Sequence, residues 1–487
     1  MAFKILNVFF DGRNLPLSFD SRNSKTNNFT VIVGKNSTGK SRLLSSIVSS
    51  FEALNNTGRI QRVRSGFGRK SDQRLDEFYL NYILDDKPGS LEVHRGKCSY
   101  TGEFMFGSDL EQCLPSKIIA TSTTPYDKFP LSRSRYKEND SEKYCYLGVR
   151  DRMGNHPSVS LLDRVIDSLF NASQFGVNKS EKIKGVFNFL GYMPRLTVKY
   201  QFDLSPNRFM SILNEDSLSF TDAQYNHPRL RRAIELVSKD AELFERVREA
   251  YFYLDSYFND VRETSFNIDF DSALVVEQGY MFEQAALLRK LGFMRLSDVE
   301  LYYDLESNYS TVSATDLSSG EQCIIATILG IASEIEDNAL ICIDEPEISL
   351  HPEWQEKYID LLLQTFEIYK GCHFVIATHS PQVVSRIHGD NCVILKMNEG
   401  ELLSSDDFYQ KSADYQLVNV FSAPGTSNEY ITRKCLTLIT NLSSGTHTIE
   451  QIKIESKEII NMRTLLKDTD PVASLIDALS LALRSYE

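Results

Sequence analysis

The chain has 487 residues, of which 42% are hydrophobic and 24% charged, and its formal net charge is −13. That composition excludes a mostly disordered chain and leaves room for two or three subdomains. An acidic chain has no global attraction for nucleic acid, so any such contact would need a local basic patch. The longest clean apolar run, Cys323–Ala332, is too short to span a bilayer. Met1–Leu6 lacks the long apolar stretch of a secretory signal. A cytoplasmic protein with no membrane contact is therefore expected. The eight cysteines, Cys98, Cys113, Cys145, Cys323, Cys342, Cys372, Cys392 and Cys435, show no zinc-ligand spacing and are expected to be free thiols.

In chain order, Thr30–Val33 is a short β-branched run, as a buried strand would be. It leads into Gly34-Lys35-Asn36-Ser37-Thr38-Gly39-Lys40-Ser41, which matches G-x-x-x-x-G-K-[ST] in full. From Arg42 onward, apolar residues at helical spacing predict a helix. Strand, glycine loop and helix are the context a triphosphate grip needs. Gly34 and Gly39 let backbone N–H groups turn inward, and the helix start adds its positive dipole end. Lys40 would reach the β- and γ-phosphates of ATP, and Ser41 would offer its hydroxyl to Mg²⁺.

A basic, glycine-spaced stretch follows, with Arg59, Arg62, Arg64, Arg69, Lys70 and Arg74. It is either a loop that touches nucleic acid phosphates or a solvated loop balanced by nearby acids. Lys117–Thr121 reads as a strand. Leu230–Phe258 and Met281–Leu291 have helical periodicity, Arg229, Arg231 and Arg232 form a helix-surface cluster, and Val299–Tyr303 alternates like a strand. No sustained heptads occur, which argues against a long coiled-coil arm. A compact, largely helical subdomain is expected over 155–295.

Leu317-Ser318-Ser319-Gly320-Glu321-Gln322 precedes an apolar helix and suits either anion binding or a plain N-cap. Ala339–Ile343 is a buried strand ending in Asp344 and Glu345. Asp344 would hold Mg²⁺ through its water shell, and Glu345 would polarise the attacking water as a general base. Ser349–Pro352 starts another helix, and Cys372–Thr378 is a strand ending in His379, placed to touch a γ-phosphate. Cys392–Lys396 is one more core strand, and Glu429–Asn441 and Val472–Arg484 are helical.

This set resembles the ABC-type ATPase head, in the branch shared by SMC-like, RecF-like and OLD-like proteins. Gly34–Ser41 matches the family's Walker A motif and Leu317–Gln322 its signature. Ile341–Glu345 matches Walker B, Glu347–Pro352 the D-loop, and His379 the switch histidine. The resemblance implies an α/β fold: a P-loop ATPase head with a mixed, largely parallel sheet flanked by helices, an inserted largely helical subdomain and a helical C-terminal extension. It also implies that two heads sandwich two ATPs, with Ser318 and Gly320 gripping the γ-phosphate bound to the other subunit. Gly34 to Arg42 and Ser318 to Glu321 would then contact nucleotide, Ser41 and Asp344 the metal, and Glu345 and His379 the reacting groups. Ser37 and Ser319 stand where glycine is common, and turnover is expected to be slow. The family's glutamine loop has a weak counterpart in Thr124–Pro130, where Asp127 either serves or lies in a surface turn.

The expected organisation is head residues 1–154, insert 155–295, head residues 296–400 and a C-terminal extension 401–487 that contacts a partner or another copy. No E-G-x-x-D pattern or His/Asn/His nuclease set follows the head. In this the chain is similar to the PtuA-type ATPases of Septu and retron-linked antiphage systems, which pair with a PtuB-like HNH nuclease. That similarity implies an ATP-gated homodimer or higher homo-oligomer that regulates a separate nuclease or toxin subunit. The alternative is a RecF-like DNA-binding ATPase in DNA repair. A transporter subunit fits less well, because the large insert and the run from Glu345 to Pro352 favour the SMC-like branch.

Overall fold

The strand–loop–helix around Gly34–Ser41 lies in the middle of a seven-stranded sheet, in a computed structural model that describes residues 2–19, 26–56, 77–102, 113–131, 143–150, 165–166, 169, 177–203, 228–257, 263–270, 276–305, 308–444 and 448–485. β1 (Phe3–Phe10) and β2 (Arg13–Pro16) form a hairpin, β3 (Asn28–Val33) runs into α1 (Lys40–Asn56), and β4 (Glu77–Leu84), β5 (Lys87–His94) and β6 (Lys97–Gly102) form a meander. The hairpins turn at Asp11–Gly12, Asp85–Asp86 and Arg95–Gly96, all with positive φ, as two-residue turns between twisted strands require. These strands form an antiparallel sheet in the order β2-β1-β4-β5-β6. Its apolar positions alternate, with Phe78, Leu80, Tyr82 and Leu84 buried on one face of β4. β7 (Ile118–Ser122) and β8 (Tyr144–Gly148) then join the central sheet.

The next described elements are α2 (Val177–Phe189), β9 (Arg195–Phe202), α3 (Pro228–Val237), α4 (Ala241–Tyr257), β10 (Glu263–Asp269), α5 (Val276–Leu291), β11 (Met294–Leu305) and β12 (Asn308–Ser313). The pattern read over Leu230–Phe258 divides into α3 and α4, because the Asp240 carboxylate accepts from the N–H groups of Glu242 and Leu243 and starts a new helix. The strands form an antiparallel sheet ordered β10-β9-β11-β12. The insert thus carries a sheet besides its helices, and β11 runs across position 295.

The head resumes with α6 (Ser319–Glu334), β13 (Leu340–Asp344), α7 (Pro352–Phe366), β14 (His373–Thr378), β15 (Cys392–Lys396) and β16 (Glu401–Ser404). The central order is β16-β15-β3-β14-β13-β7-β8, parallel except for β16. The β15–β16 hairpin carries the sheet past position 400. Every residue of β3, β7, β13 and β14 is buried, as covering both faces of a parallel sheet demands. One face, with Ile32, Ala120, Cys342 and Val375, packs on α1 and the antiparallel sheet. Phe3, Phe51 and Tyr82 meet there with ring centroids 5.4–5.7 Å apart. Truncating Phe51 to Ala would cost about 3–5 kcal/mol through lost burial and the cavity left behind. The other face, with Val31, Val33, Ile341 and Ile376, packs on α6, α7 and the insert.

One buried polar chain ties the layers. His373 Nδ1 accepts from the Ile5 N–H at 3.0 Å, so Nε2–H is left to donate to Thr30 Oγ1 at 2.9 Å, and Thr30 donates on to the Leu17 carbonyl. Finally α8 (Ala413–Asn419), α9 (Glu429–Ser444), α10 (Ile449–Asn461) and α11 (Pro471–Arg484) share a separate core that includes Ile431, Leu438, Ile459, Ile476 and Leu479. No helix among the described residues is long and apolar enough to cross a membrane.

Candidate nucleotide site

The carboxyl ends of β3, β14 and β13 lie side by side, and open α/β sheets bind ligands at that edge. Three segments distant in sequence meet there: the Gly34–Ser41 loop, Asp344–Glu347 and His379. The two loop glycines serve different needs. Gly39 has φ +99°, which favours glycine, whereas a Cβ at Gly34 would meet Met397 Cβ at 3.1 Å and Thr38 Oγ1 at 3.0 Å. Ser37 sits at φ +67°, which explains why glycine suits that position. Lys35, Asn36 and Ser37 are exposed, Thr38 and Gly39 half-buried, and Lys40 buried.

The Lys40 ammonium donates to the carbonyls of Gly34 (3.0 Å) and Lys35 (3.5 Å) and to His379 Nε2 (2.7 Å). Burial lowers its pKa, and Glu345, Asp344 and Glu347 oppose that shift. An ammonium can only donate, so His379 Nε2 is the acceptor and its proton sits on Nδ1. Burial, with Lys40 beside it, takes the His379 pKa down to about 4. The imidazole is therefore neutral at physiological pH, and its approach to Glu345 Oε1 at 3.6 Å is a polar contact rather than an ion pair. A γ-phosphate arriving here would meet a preformed cationic donor.

Ser41 Oγ donates to Asp344 Oδ1 at 3.0 Å. Burial lifts Asp344 to about 7, against the lowering effect of that hydrogen bond. A buried carboxylate this reluctant to ionise, beside a hydroxyl, is a pair of hard oxygen donors, and it fits Mg²⁺ held jointly with phosphate oxygens. Arg42 is committed elsewhere. Its guanidinium pairs with Asp11 at 2.6 Å and lies over the Phe10 ring, so what it can offer a phosphate is its backbone N–H at the start of α1.

Glu345 adopts φ +51°, a costly conformation for a non-glycine residue. Its N–H donates to the Ala377 carbonyl at 2.9 Å, and Thr123 Oγ1 donates to its carbonyl at 3.2 Å. These contacts hold a side chain that is 26% exposed at the sheet edge, where it could polarise a water. Thr123 was not visible as part of the site in sequence. Its only signal is its place directly after β7.

The signature residues are bonded mainly to one another. Ser318 caps α6, its hydroxyl donating to Glu321 Oε2 at 2.7 Å while the Glu321 N–H returns to Ser318 Oγ at 3.3 Å. The Ser318 N–H also donates to Glu321 Oε2 at 3.0 Å, which completes a capping box. Ser319 opens the helix and is exposed. Gly320 packs so closely on the segment after Walker B that a Cβ would lie 2.9 Å from the Ser349 carbonyl. Among the described residues, no hydrogen bond joins Ser318 or Glu321 to the Gly34–Ser41 loop.

The surface-turn alternative for Asp127 does not hold. Asp127 is 3% exposed. Its carboxylate is saturated by the Arg150 guanidinium (2.7 and 2.9 Å), the Tyr146 hydroxyl (2.6 Å) and the Phe129 N–H (3.0 Å). It is a structural anchor of the loop after β7, with no acceptor capacity left for a metal. The basic stretch Arg59–Arg74 lies outside the described residues. Arg231 sits on α3, exposed and 3.6 Å from Glu235, as a helix-surface charge would.

Residues 29–385 match the family model described as "AAA domain, putative AbiEii toxin, Type IV TA system". The chain is similar to the Retron Ec83 probable ATPase of Escherichia coli, with 24% identity over 77% of this chain and 68% of that protein. It is similar to the Retron Vc95 probable ATPase of Vibrio cholerae serotype O1 biovar El Tor, with 21% identity over 76% of this chain and 70% of that one. The Septu protein PtuA of Bacillus mycoides (strain KBAB4) is 23% identical over 39% of this chain and 28% of its own length.

Proposed function

From the premise that the chain belongs to this AAA-domain ATPase family, we propose that it binds and hydrolyses Mg-ATP, closes head to head with a second copy over the nucleotide, and so regulates a separate nuclease or toxin subunit in antiviral defence. The observation that carries the ATPase part is the corner where Lys40, His379, Ser41 and Asp344 are already in hydrogen-bond contact, with Glu345 beside them. In this reading Lys40 and the loop N–H groups hold the phosphates. Ser41 and Asp344 would hold Mg²⁺, which would supply neutralisation of developing charge, and Glu345 would orient and deprotonate the attacking water. His379, neutral and with Nδ1 protonated, stands where a γ-phosphate oxygen would arrive.

Support for closure comes from the signature turn. Its hydroxyl and helix start are bonded within their own turn, with no hydrogen bond to the Gly34–Ser41 loop among the described residues. Support for the defence role comes from the retron and Septu proteins to which the chain is similar. The test is affinity capture of the Glu345→Gln protein from its host with Mg-ATP, followed by mass spectrometry. A stoichiometric nuclease or toxin subunit is the expected result. Recovery of DNA and repair factors without such a subunit would contradict the effector-regulating role.

A further inference from the structure

Glu347 belongs to no step of that mechanism, yet it points into the site. Its Oε1 accepts the His379 N–H at 2.5 Å, and its own backbone N–H and the Thr378 hydroxyl also act on the buried carboxylate. The segment that carries it is braced from behind by one side chain. Gln355, on α7, donates through Nε2 to the carbonyls of Leu350 (3.0 Å) and Glu347 (3.4 Å), and its Oε1 accepts from Ser380 Oγ at 2.7 Å. Ser380 follows His379 directly. The histidine at the tip of β14 is thus held on both sides, by Glu347 through its own N–H and by Gln355 through its neighbour. The same segment continues to Ser349, whose carbonyl meets the signature turn at Gly320. One connected set of contacts runs from the start of α6 through Ser349 and its neighbour Leu350 to Gln355, Glu347 and His379, and from His379 Nε2 to Lys40.

We propose that Glu347 is a positioning residue for His379: its carboxylate, braced by Gln355, fixes the strand tip so that the imidazole stays on Lys40 and beside Glu345. Its catalytic consequence rests on the ATPase reading, but its structural consequence does not. A carboxyl oxygen that accepts from a backbone N–H suits this role, because it fixes a main-chain position without contacting nucleotide. Gln355 is the second member, since its amide couples the Glu347 backbone to Ser380. A shift of Ser349 imposed at the signature turn would then be felt at His379.

The test uses the full chain without nucleotide, with ¹⁵N-labelled histidines and the His379 signal identified by its loss in His379→Ala. Wild type and Glu347→Gln, which keeps an acceptor oxygen, should both show His379 as the Nδ1–H tautomer. Glu347→Ala should show a mixture of tautomers, and Gln355→Ala a smaller change of the same kind. In steady-state hydrolysis, Glu347→Ala should lower kcat by about 10- to 100-fold with ATP affinity within about threefold of wild type. In the His379→Ala background it should lower kcat no further, because residues that act through one another are not additive. An unchanged His379 tautomer in Glu347→Ala would overturn the proposal. So would multiplicative losses in the double variant, which would place Glu347 on the nucleotide or metal itself. Should the wild-type chain not hydrolyse ATP, the ATPase reading fails, and the tautomer measurement still decides the role of Glu347.

Discussion

The corner at Lys40 and the turn at Ser318 are the two places where we propose that phosphate binds, but they are finished to different degrees. At the first, three strands bring a lysine, a histidine, a serine and an aspartate into contact, and their polar groups are held against burial costs that shift Lys40, His379 and Asp344 from their ordinary pKa values. At the second, the polar groups turn back on their own helix and are satisfied by Glu321. A site that stores unfavourable electrostatics is poised for a ligand, whereas a satisfied cap is stable alone and must be rearranged to act. In our reading the difference assigns the corner to first contact with Mg-ATP and the turn to completion of the site by a second copy.

The contrast can be broken or sharpened by substitution. The largest effect is expected at Glu345. Glu345→Gln should keep Mg-ATP binding and lose about 10²–10⁴ of kcat, the usual share of a general base; equal hydrolysis in variant and wild type would show that the water is activated elsewhere. Lys40→Ala should weaken ATP binding by about 10²–10³-fold in calorimetry, because phosphate charge loses its buried counter-charge at a cost of about 3–4 kcal/mol. At the turn the expected effects are smaller. Gly320→Ala should destabilise the chain by about 1–3 kcal/mol in urea, since the new methyl meets the backbone at Ser349 and something must move. An unchanged urea midpoint would mean that α6 and the Ser349 segment slide freely past each other.

The pH dependence separates the same elements. Burial takes His373 down to about 3, so the fold keeps it neutral while the unfolded chain protonates near 6.5. Its contribution is fully present above pH 6.5 and is lost as pH falls towards 3, at up to about 1.4 kcal/mol per pH unit. Asp344 works in the opposite sense. With a folded pKa of about 7 against 3.8, it favours the fold most below pH 3.8, and that contribution is lost as pH rises through 7. The two oppose each other between pH 3.8 and 6.5. In EDTA, Asp344→Asn should therefore be more stable than wild type at pH 8 by roughly 1–3 kcal/mol, an advantage that shrinks on acidification. It should also lose stability more steeply than wild type below pH 6.5. Parallel stability curves for the two proteins would contradict the burial cost assigned to Asp344.

The motifs proposed to grip phosphate were legible because each depends on short-range chemistry. Strand β3, its loop and α1 are contiguous, and β13 and β14 read as buried apolar runs that end in the residues they present. The meander β4–β6 was not read, although Phe78, Leu80, Tyr82 and Leu84 alternate cleanly; one of its turns, Asp85–Asp86, lacks the glycine that would flag it. The brace formed by Gln355, Glu347 and Ser380 was beyond reach, since it joins a strand tip, a turn and a helix through side-chain amide geometry that spacing does not encode. Asp127 shows the converse error. A polar residue in a proline-bearing segment looks like a surface turn until Arg150 and Tyr146, supplied by the next strand and its end, bury it.

In the proposed nucleotide-bound pair, one chain's Lys40 corner is completed by another chain's Ser318 turn. The most direct measurement is ATP hydrolysis by a mixed pair, Lys40→Ala and Ser318→Arg, co-expressed with different tags and purified through both. Each variant alone lacks every complete site, whereas the mixed pair retains one with an intact corner and an intact turn. We predict no hydrolysis by either variant alone and substantial hydrolysis by the pair. Wild-type hydrolysis by Ser318→Arg alone, or none by the purified pair, would contradict the account.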